Sequence, residues 1–270
     1  MSFDQLTFTG FDLETTGKYP LESEICEIAA ARFHNGKLVD SFQTLVKPQR
    51  AMSDEVIKIH GITNEMVENS PRIHEVIADF RKFIEGTNLV AHHAPFDMGF
   101  LAVAFEDAGL SLPTQPVICS SRLSRKIITG SENHKLQTLI PHLGIQQGQA
   151  HRALDDATAC LQVGLICFDR AELKTLEDIY KAQDGALYWK DFSMEELKFK
   201  SKDMGLLVDG IKNRMTLKMT YKSGSTPGRS RLIEPIGIVR SPDGDFVVAY
   251  DDGEMPKRFY LNKVASVEKP

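Results

Sequence analysis

Long apolar runs are missing from this sequence of 270 residues. No stretch approaches the ~18 apolar residues of a membrane span, so nothing in the chain points to a membrane. Cysteine is scarce. Cys26, Cys119, Cys160 and Cys167 are scattered with no C-x-x-C pair, which speaks against a disulfide framework and a thiolate zinc site. The opening residues, MSFDQLTFTGFD, have neither the basic start nor the apolar core of a signal peptide, and a cytoplasmic protein is expected. A basic excess is missing as well: 32 Lys and Arg stand against 37 Asp and Glu, a net charge of −5, so the protein as a whole does not capture nucleic acid by charge. There is no internal repeat and no low-complexity tract.

The charge is unevenly spread. Residues 206–270 hold 11 basic and 8 acidic side chains, a net of +3, and residues 1–205 carry −8. A basic tail fits polyanion binding, and an acidic body fits carboxylates gathered around a cation.

The first 48 residues read as strands: LTFTGFDLET, SEICEIAAARFHNG and KLVDSFQTLVKP, the last two joined by a tight Asn35-Gly36 turn. Helices are expected at SDEVIKIHG and PRIHEVIADFRKFIEG, where Ile73, Val76, Ile77, Phe80 and Ile84 recur at helical spacing. NLVAHH reads as a buried strand, followed by the helix PFDMGFLAVAFEDAG. A strand at PVICS, helices near SRLSRKI and KLQTLIPHLG, and a long helix in ALDDATACLQVGLICFDRAEL follow. This order predicts a mixed α/β domain over residues 1–171. Residues 172–205 read as a charged helical connector, with Ser193 and Glu196 spaced as a capping box. Residues 206–270 form a third unit. From Met215 onward short strands alternate with the turns SGSTPG, SPDG and DDGEMP, the pattern of a small all-β barrel.

Three acidic groups stand out. Asp12 and Glu14 are two apart on a strand and project from one face, about 6.6 Å apart at ~3.3 Å per residue. Two like charges side by side on a central strand are costly unless a cation joins them. An exposed edge strand is the competing reading. Asp97 opens an apolar helix, where the macrodipole alone favours an acid. In HRALDDATA, His151 precedes a helix whose first turn holds Asp155 and Asp156, with small Ala153 and Ala157 suiting a close approach to a sheet. Taken singly, one of these aspartates reads as a solvated helix-start charge and His151 as a capping or surface residue.

Together, FDLETTG, AHHAPFD and HRALDDA resemble the three motifs of the DnaQ-like (DEDDh) 3′→5′ exonucleases, supported by IHGIT and HKLQTL, over roughly residues 6–168. The resemblance implies a ribonuclease H-like fold, a five-stranded mixed sheet flanked by helices. It matches Asp12, Glu14, Asp97 and Asp156 to the four metal-binding acids and His151 to the family histidine, with Asp155 outside the ligand set. It further implies two Mg²⁺ or Mn²⁺ ions, Asp12 bridging both, Glu14 and Asp156 holding the one that carries the nucleophilic water, and Asp97 supporting the other. His151 would be the general base, and single-stranded DNA or RNA 3′ ends would be trimmed to nucleoside 5′-monophosphates. Such a set suits phosphodiester hydrolysis, where paired cations stabilise the attacking and leaving oxygens. Two positions depart from the pattern: His93 stands where the family usually has Asn, and Cys119 where it often has Asp.

The tail, over about residues 206–268, resembles a WYL domain, an SH3-like or Sm-like barrel of bacterial regulators, through Tyr221, the RLIEP run from Arg231, and RFYLNKV from Arg258. Phe246-Val247-Val248 stands where the naming Trp-Tyr-Leu falls. Arg231, Arg258 and Lys263 beside Tyr221 are candidates to grip phosphates and stack a base of a nucleotide or nucleic-acid ligand. The competing reading is a barrel using its cations for solubility and its aromatics for its core. Two further readings of the whole chain are a nucleic-acid-binding regulator without hydrolysis and a polymerase-associated proofreading subunit.

Overall fold

The computed structural model describes residues 6–270 apart from residues 147, 149 and 225. The expectation for the first five residues, and part of the expected SGSTPG turn, lie outside the described residues.

Strands β1 (Thr7–Thr15), β2 (Ile25–His34) and β3 (Lys37–Leu45) form an antiparallel meander. Asn35 and Gly36 between β2 and β3 have φ of 51° and 68°, the left-handed pair that a two-residue hairpin requires. Helices α1 (Asp54–His60), α2 (Asn64–Val67) and α3 (Ile73–Phe83) lead to β4 (Asn88–Ala91), and α4 (Pro95–Asp107) to β5 (Val117–Cys119). Then come α5 (Ser120–Ile127), α6 (Leu136–Leu143) and α7 (Ala153–Arg170). The sheet order is β3-β2-β1-β4-β5, with β4 parallel to both β1 and β5. β1 is therefore central, as the apolar residues flanking its two acids predict.

The alternation of β1 assigns its residues to two layers. Phe11 and Leu13 enter a core with Phe80, Met98, Leu101 and Phe105 from α3 and α4. Phe8, with Val90 and Ile118, enters the opposite core beneath α7. Asp12 and Glu14 share parity with Phe8 and so lie on the α7 side, beyond the end of the apolar layer.

Residues 172–205 are helical, with α8 (Leu176–Ala182), a 3₁₀ turn (Trp189–Phe192) and α9 (Met194–Lys200). They are also more deeply packed than their charge suggests. Trp189 and Phe192 are buried against the first core, Trp189 stacking on Phe11 at 6.0 Å between centroids. The fully buried Gln183 donates to Val117 O and accepts from Cys119 N, and Val117 N donates to Leu187 O. Those bonds cover the open edge of β5.

Ser193 caps α9 by accepting from Glu196 N at 2.9 Å. The carboxylate beside it is not the expected Glu196 but Glu106 of α4, which takes the Ser193 hydroxyl and the Met194 and Glu195 N–H groups. A spacing rule sees only local partners, and here a distant acid takes the role.

Helix α10 (Lys202–Lys212) precedes β6 (Leu217–Tyr221), β7 (Ser230–Val239), β8 (Phe246–Tyr250), β9 (Lys257–Tyr260) and β10 (Val264–Glu268). These strands form an antiparallel sheet in the order β10-β6-β7-β8-β9, with a register shift in β7 between Pro235 and Gly237. α9 and α10 supply Leu197, Leu207, Val208 and Ile211 to its core, together with Val103 from α4. The two sheets are thus docked. Tyr19 lies against Gly237, where a Cβ would stand 2.3 Å from its ring, and Lys212 pairs with Asp107 at 3.0 Å.

Candidate active site

The acids are delivered by three elements. Asp12 and Glu14 stand near the C-terminal end of β1. Asp97 sits in the first turn of α4, which follows the parallel neighbour β4, and Asp156 in the first turn of α7. The crevice beyond the carboxyl ends of parallel strands is where open α/β sheets place their ligand sites. α4 starts with Pro95, whose fixed φ suits a first helical turn. The Leu13 N–H faces the Asp97 carboxylate and favours its charged form, from a position on the strand between the two β1 acids.

Burial and mutual repulsion dominate the electrostatics. Asp12 is held well above the usual carboxylate range by desolvation and by the charges of Asp97, Asp156, Glu14 and Glu27. Asp97 is also raised, first by desolvation and then by Glu14 and Asp156, against the pull of its own and the Leu13 N–H groups. Glu14 is pushed up to about 8 by burial, Asp156 and Glu27, with Arg152 opposing. All four sequence-predicted acids therefore act on one another. Glu14, His151 and Asp156 each offer a ligand atom within 4.8 Å of the others. Buried carboxylates gathered this closely fit a divalent-metal centre with hard oxygen donors.

His151 is exposed at the rim, with φ of 58°. Its N–H donates to Asp156 Oδ2 at 3.1 Å, and Gln137 Nε2 of α6 donates to Asp156 Oδ1 at 2.8 Å. The neighbouring Asp155 is half-buried, its carboxylate directed to Gly148.

Three supporting residues escaped the sequence reading. Glu27, fully buried on β2 and paired in register with Glu14, receives Arg152 through two bonds of 2.8 and 3.2 Å. It also accepts from Ala153 N at 3.1 Å, the first amide of α7, and from Gln43 at 2.9 Å. Arg152 and these amides hold its carboxyl below the ordinary value despite burial. The available signal was an acid inside the apolar run ICEIAAARF. Gln137 lies within HKLQTL, a stretch whose family likeness gives this side chain no role. His92 bridges Ser120 Oγ and His134 O, each at 2.9 Å, and burial lowers its pKa to about 4. At His93 φ is 59°, a left-handed conformation that Asn and His adopt more readily than most residues.

The tail candidates separate. Tyr221 is 7% exposed, its hydroxyl accepts from Tyr260 N at 3.1 Å, and its ring packs edge-on against Phe259, so no face is open for a base. Arg231 pairs with Asp251 at 3.2 Å and donates to Thr226. Lys263 lies over the Tyr260 ring at 5.6 Å. Arg258 is exposed, with its guanidinium over Phe246 at 5.1 Å.

The model of the family described as RNase_T, exonuclease, matches residues 9–163. The DNA polymerase III PolC-type of Oceanobacillus iheyensis is 39% identical over 153 residues, which make up 57% of this chain but only 11% of that polymerase. Among solved structures, exonuclease X in complex with 5′-overhanging duplex DNA is 28% identical with a TM-score of 0.50, covering 66% of this chain and 99% of its own. E. coli exonuclease I, 14% identical with a TM-score of 0.55, covers 98% of this chain and 65% of its own, a likeness of fold that extends into the second sheet.

Proposed function

The chain belongs to the exonuclease family, and on that premise we propose that it removes nucleotides one at a time from the 3′ end of single-stranded DNA or RNA in a reaction dependent on divalent cations. The observation that carries this reading is that Asp12, Glu14 and Asp97 are all raised, first by burial and then by neighbouring acids with Asp156 among them each time, a concentration of negative charge that two Mg²⁺ or Mn²⁺ ions would neutralise. Bound there, such ions supply Lewis-acid stabilisation of the charge that develops on the attacking and departing oxygens.

The chain's own residues do the rest. Asp12, Glu14, Asp97 and Asp156 hold the ions. His151 takes the proton from the attacking water. The bond between its N–H and Asp156 fixes its backbone to a ligand, and the Glu27–Arg152 pair fixes the next residue. Water oxygen bonds to phosphorus, the P–O3′ bond breaks, and the 3′ oxygen collects a proton. The product is a nucleoside 5′-monophosphate. The antiparallel five-stranded sheet of residues 217–268 supports the SH3-like, WYL-type reading of the tail as a nucleic-acid-binding or regulatory module. Four buried free cysteines suit a cytoplasmic setting.

The test is trimming of 5′-labelled single strands with Mg²⁺ or Mn²⁺. Stepwise shortening with release of mononucleotides, lost in Asp12→Ala, is expected. An inert wild-type protein, or shortening from the 5′ end, overturns the reading. The polymerase relative favours a second reading as a proofreading activity, which co-purification with a polymerase would support.

A further inference from the structure

Between the exonuclease domain and the second sheet lies a groove of about 730 Å³. One wall carries Lys18, from the loop after β1, Phe96 of α4 and Arg125 of α5; the other carries Phe246 of β8 and Arg258 of β9. Pro95 and Phe96 line the groove immediately before Asp97, so one end of it lies beside the first turn of α4 that carries this acid.

The cations in the groove fall into two classes. Arg122 and Lys126 pair with Asp184, and Arg240 pairs with Asp245 and donates to Ser193 O, which holds the wall together. Lys18, Arg125 and Arg258 are exposed and make no ion pair among the described residues. They come from three separate segments, yet line one groove. Phe96 and Phe246 stand among them, each half-buried, Phe96 against Phe100 and Phe246 beside the Arg258 guanidinium.

We propose that this groove is the track of the single strand on the 5′ side of the scissile nucleotide, with Lys18, Arg125 and Arg258 on its phosphates and Phe96 and Phe246 against its bases. The inference rests on the exonuclease reading and gives it a substrate path. The physical reason is charge. Residues 1–205 carry −8 and the catalytic cluster is itself anionic, so a polyanion approaches best along a wall of opposite sign. Cations that follow a backbone, interleaved with aromatic rings, form the usual platform for sequence-tolerant single-strand binding. Because the second sheet supplies one wall, the tail acts on the substrate of the catalytic domain and does not need a separate ligand.

The test compares the full chain with an Arg125→Ala/Arg258→Ala variant on two substrates: a 20-mer of thymidylate, and the p-nitrophenyl ester of thymidine 5′-monophosphate, which is too short to enter the groove. The expected result is a rise in KM for the 20-mer at least tenfold greater than for the ester. The log–log salt dependence of 20-mer binding becomes shallower by about 1.4, from about 0.7 per lost phosphate contact on a single strand. Arg229→Ala, outside the groove, serves as the surface-charge control. Equal effects on both substrates, an unchanged salt slope, or competition by poly-glutamate as strong as by the 20-mer would each overturn the proposal. Should the wild type hydrolyse neither substrate, the exonuclease reading fails, and 20-mer binding by fluorescence anisotropy still decides the track.

Discussion

The Cβ that Gly10 lacks would stand 2.2 Å from the carbonyl oxygen of Ala157. Strand β1 and helix α7 touch backbone to backbone at this point, one residue from Asp156 and two from Asp12. Their closeness lets acids from distant segments share one cluster, and the small Ala153 and Ala157 expected in the sequence serve the same approach.

Gly10→Ala forces β1 and α7 apart. The expected loss is about 1–3 kcal/mol of stability, as for other overpacked sites. Activity should fall about 10²-fold, because a 1 Å shift of a metal-binding group spoils the reacting geometry. Thermal unfolding and single-turnover hydrolysis measure the two effects.

Removing Glu27 isolates the support of α7 from the ligands themselves. Glu27→Gln leaves Arg152, 26% exposed at its side chain, without its carboxylate and weakens the first helical amide bond. A loss of about 2–3 kcal/mol at pH 7 is expected, near the upper range for a hydrogen bond to a charged group. Since Glu27 titrates below its ordinary value, the wild-type contribution is full above that ordinary value and disappears as pH falls through the lowered one. The variant and the wild type should therefore converge in stability in acid, as read by urea unfolding.

The carboxylate cluster has the opposite sign. Glu14 titrates at about 8 in the folded chain against an unfolded value of 4.5, so folding retains a proton that the unfolded chain releases. In chelator, Tm should decline as pH rises between those values. Added Mn²⁺ should restore it, more at pH 8 than at pH 5. Tm that is flat across this window in chelator would contradict the repulsion described above.

Asp12→Asn removes one member of the repelling set. In chelator at pH 8 the variant should melt higher than wild type, while hydrolysis falls on the order of 10³-fold, the scale of losing a main electrostatic contact in the transition state. The pairing of gained stability with lost activity distinguishes a functional acid from a structural one.

Tyr221→Phe tests the tail. The hydroxyl serves Tyr260 N, so about 1 kcal/mol of stability should be lost while affinity for a single strand stays the same. A drop in affinity without a drop in Tm would return Tyr221 to the ligand-binding surface.

Much of this protein is written locally. The period-two alternation of TFTGFDLET already assigns Phe11 and Leu13 to a core and Asp12 and Glu14 to one shared face, because a strand allows its side chains only two directions. Asn35-Gly36 specifies its hairpin and Pro95 its helix start through backbone preferences that need no distant partner. What only the tertiary structure decided are meetings across the chain. Glu27 clamps Arg152 from 125 residues away, Glu106 takes the capping role expected of Glu196, and Tyr221 and Arg231 are spent on internal partners while Arg258 faces a groove. Periodicity and spacing report which face of an element a residue occupies. They carry no information on which other element will lie against that face, since that choice depends on the packing of the whole chain.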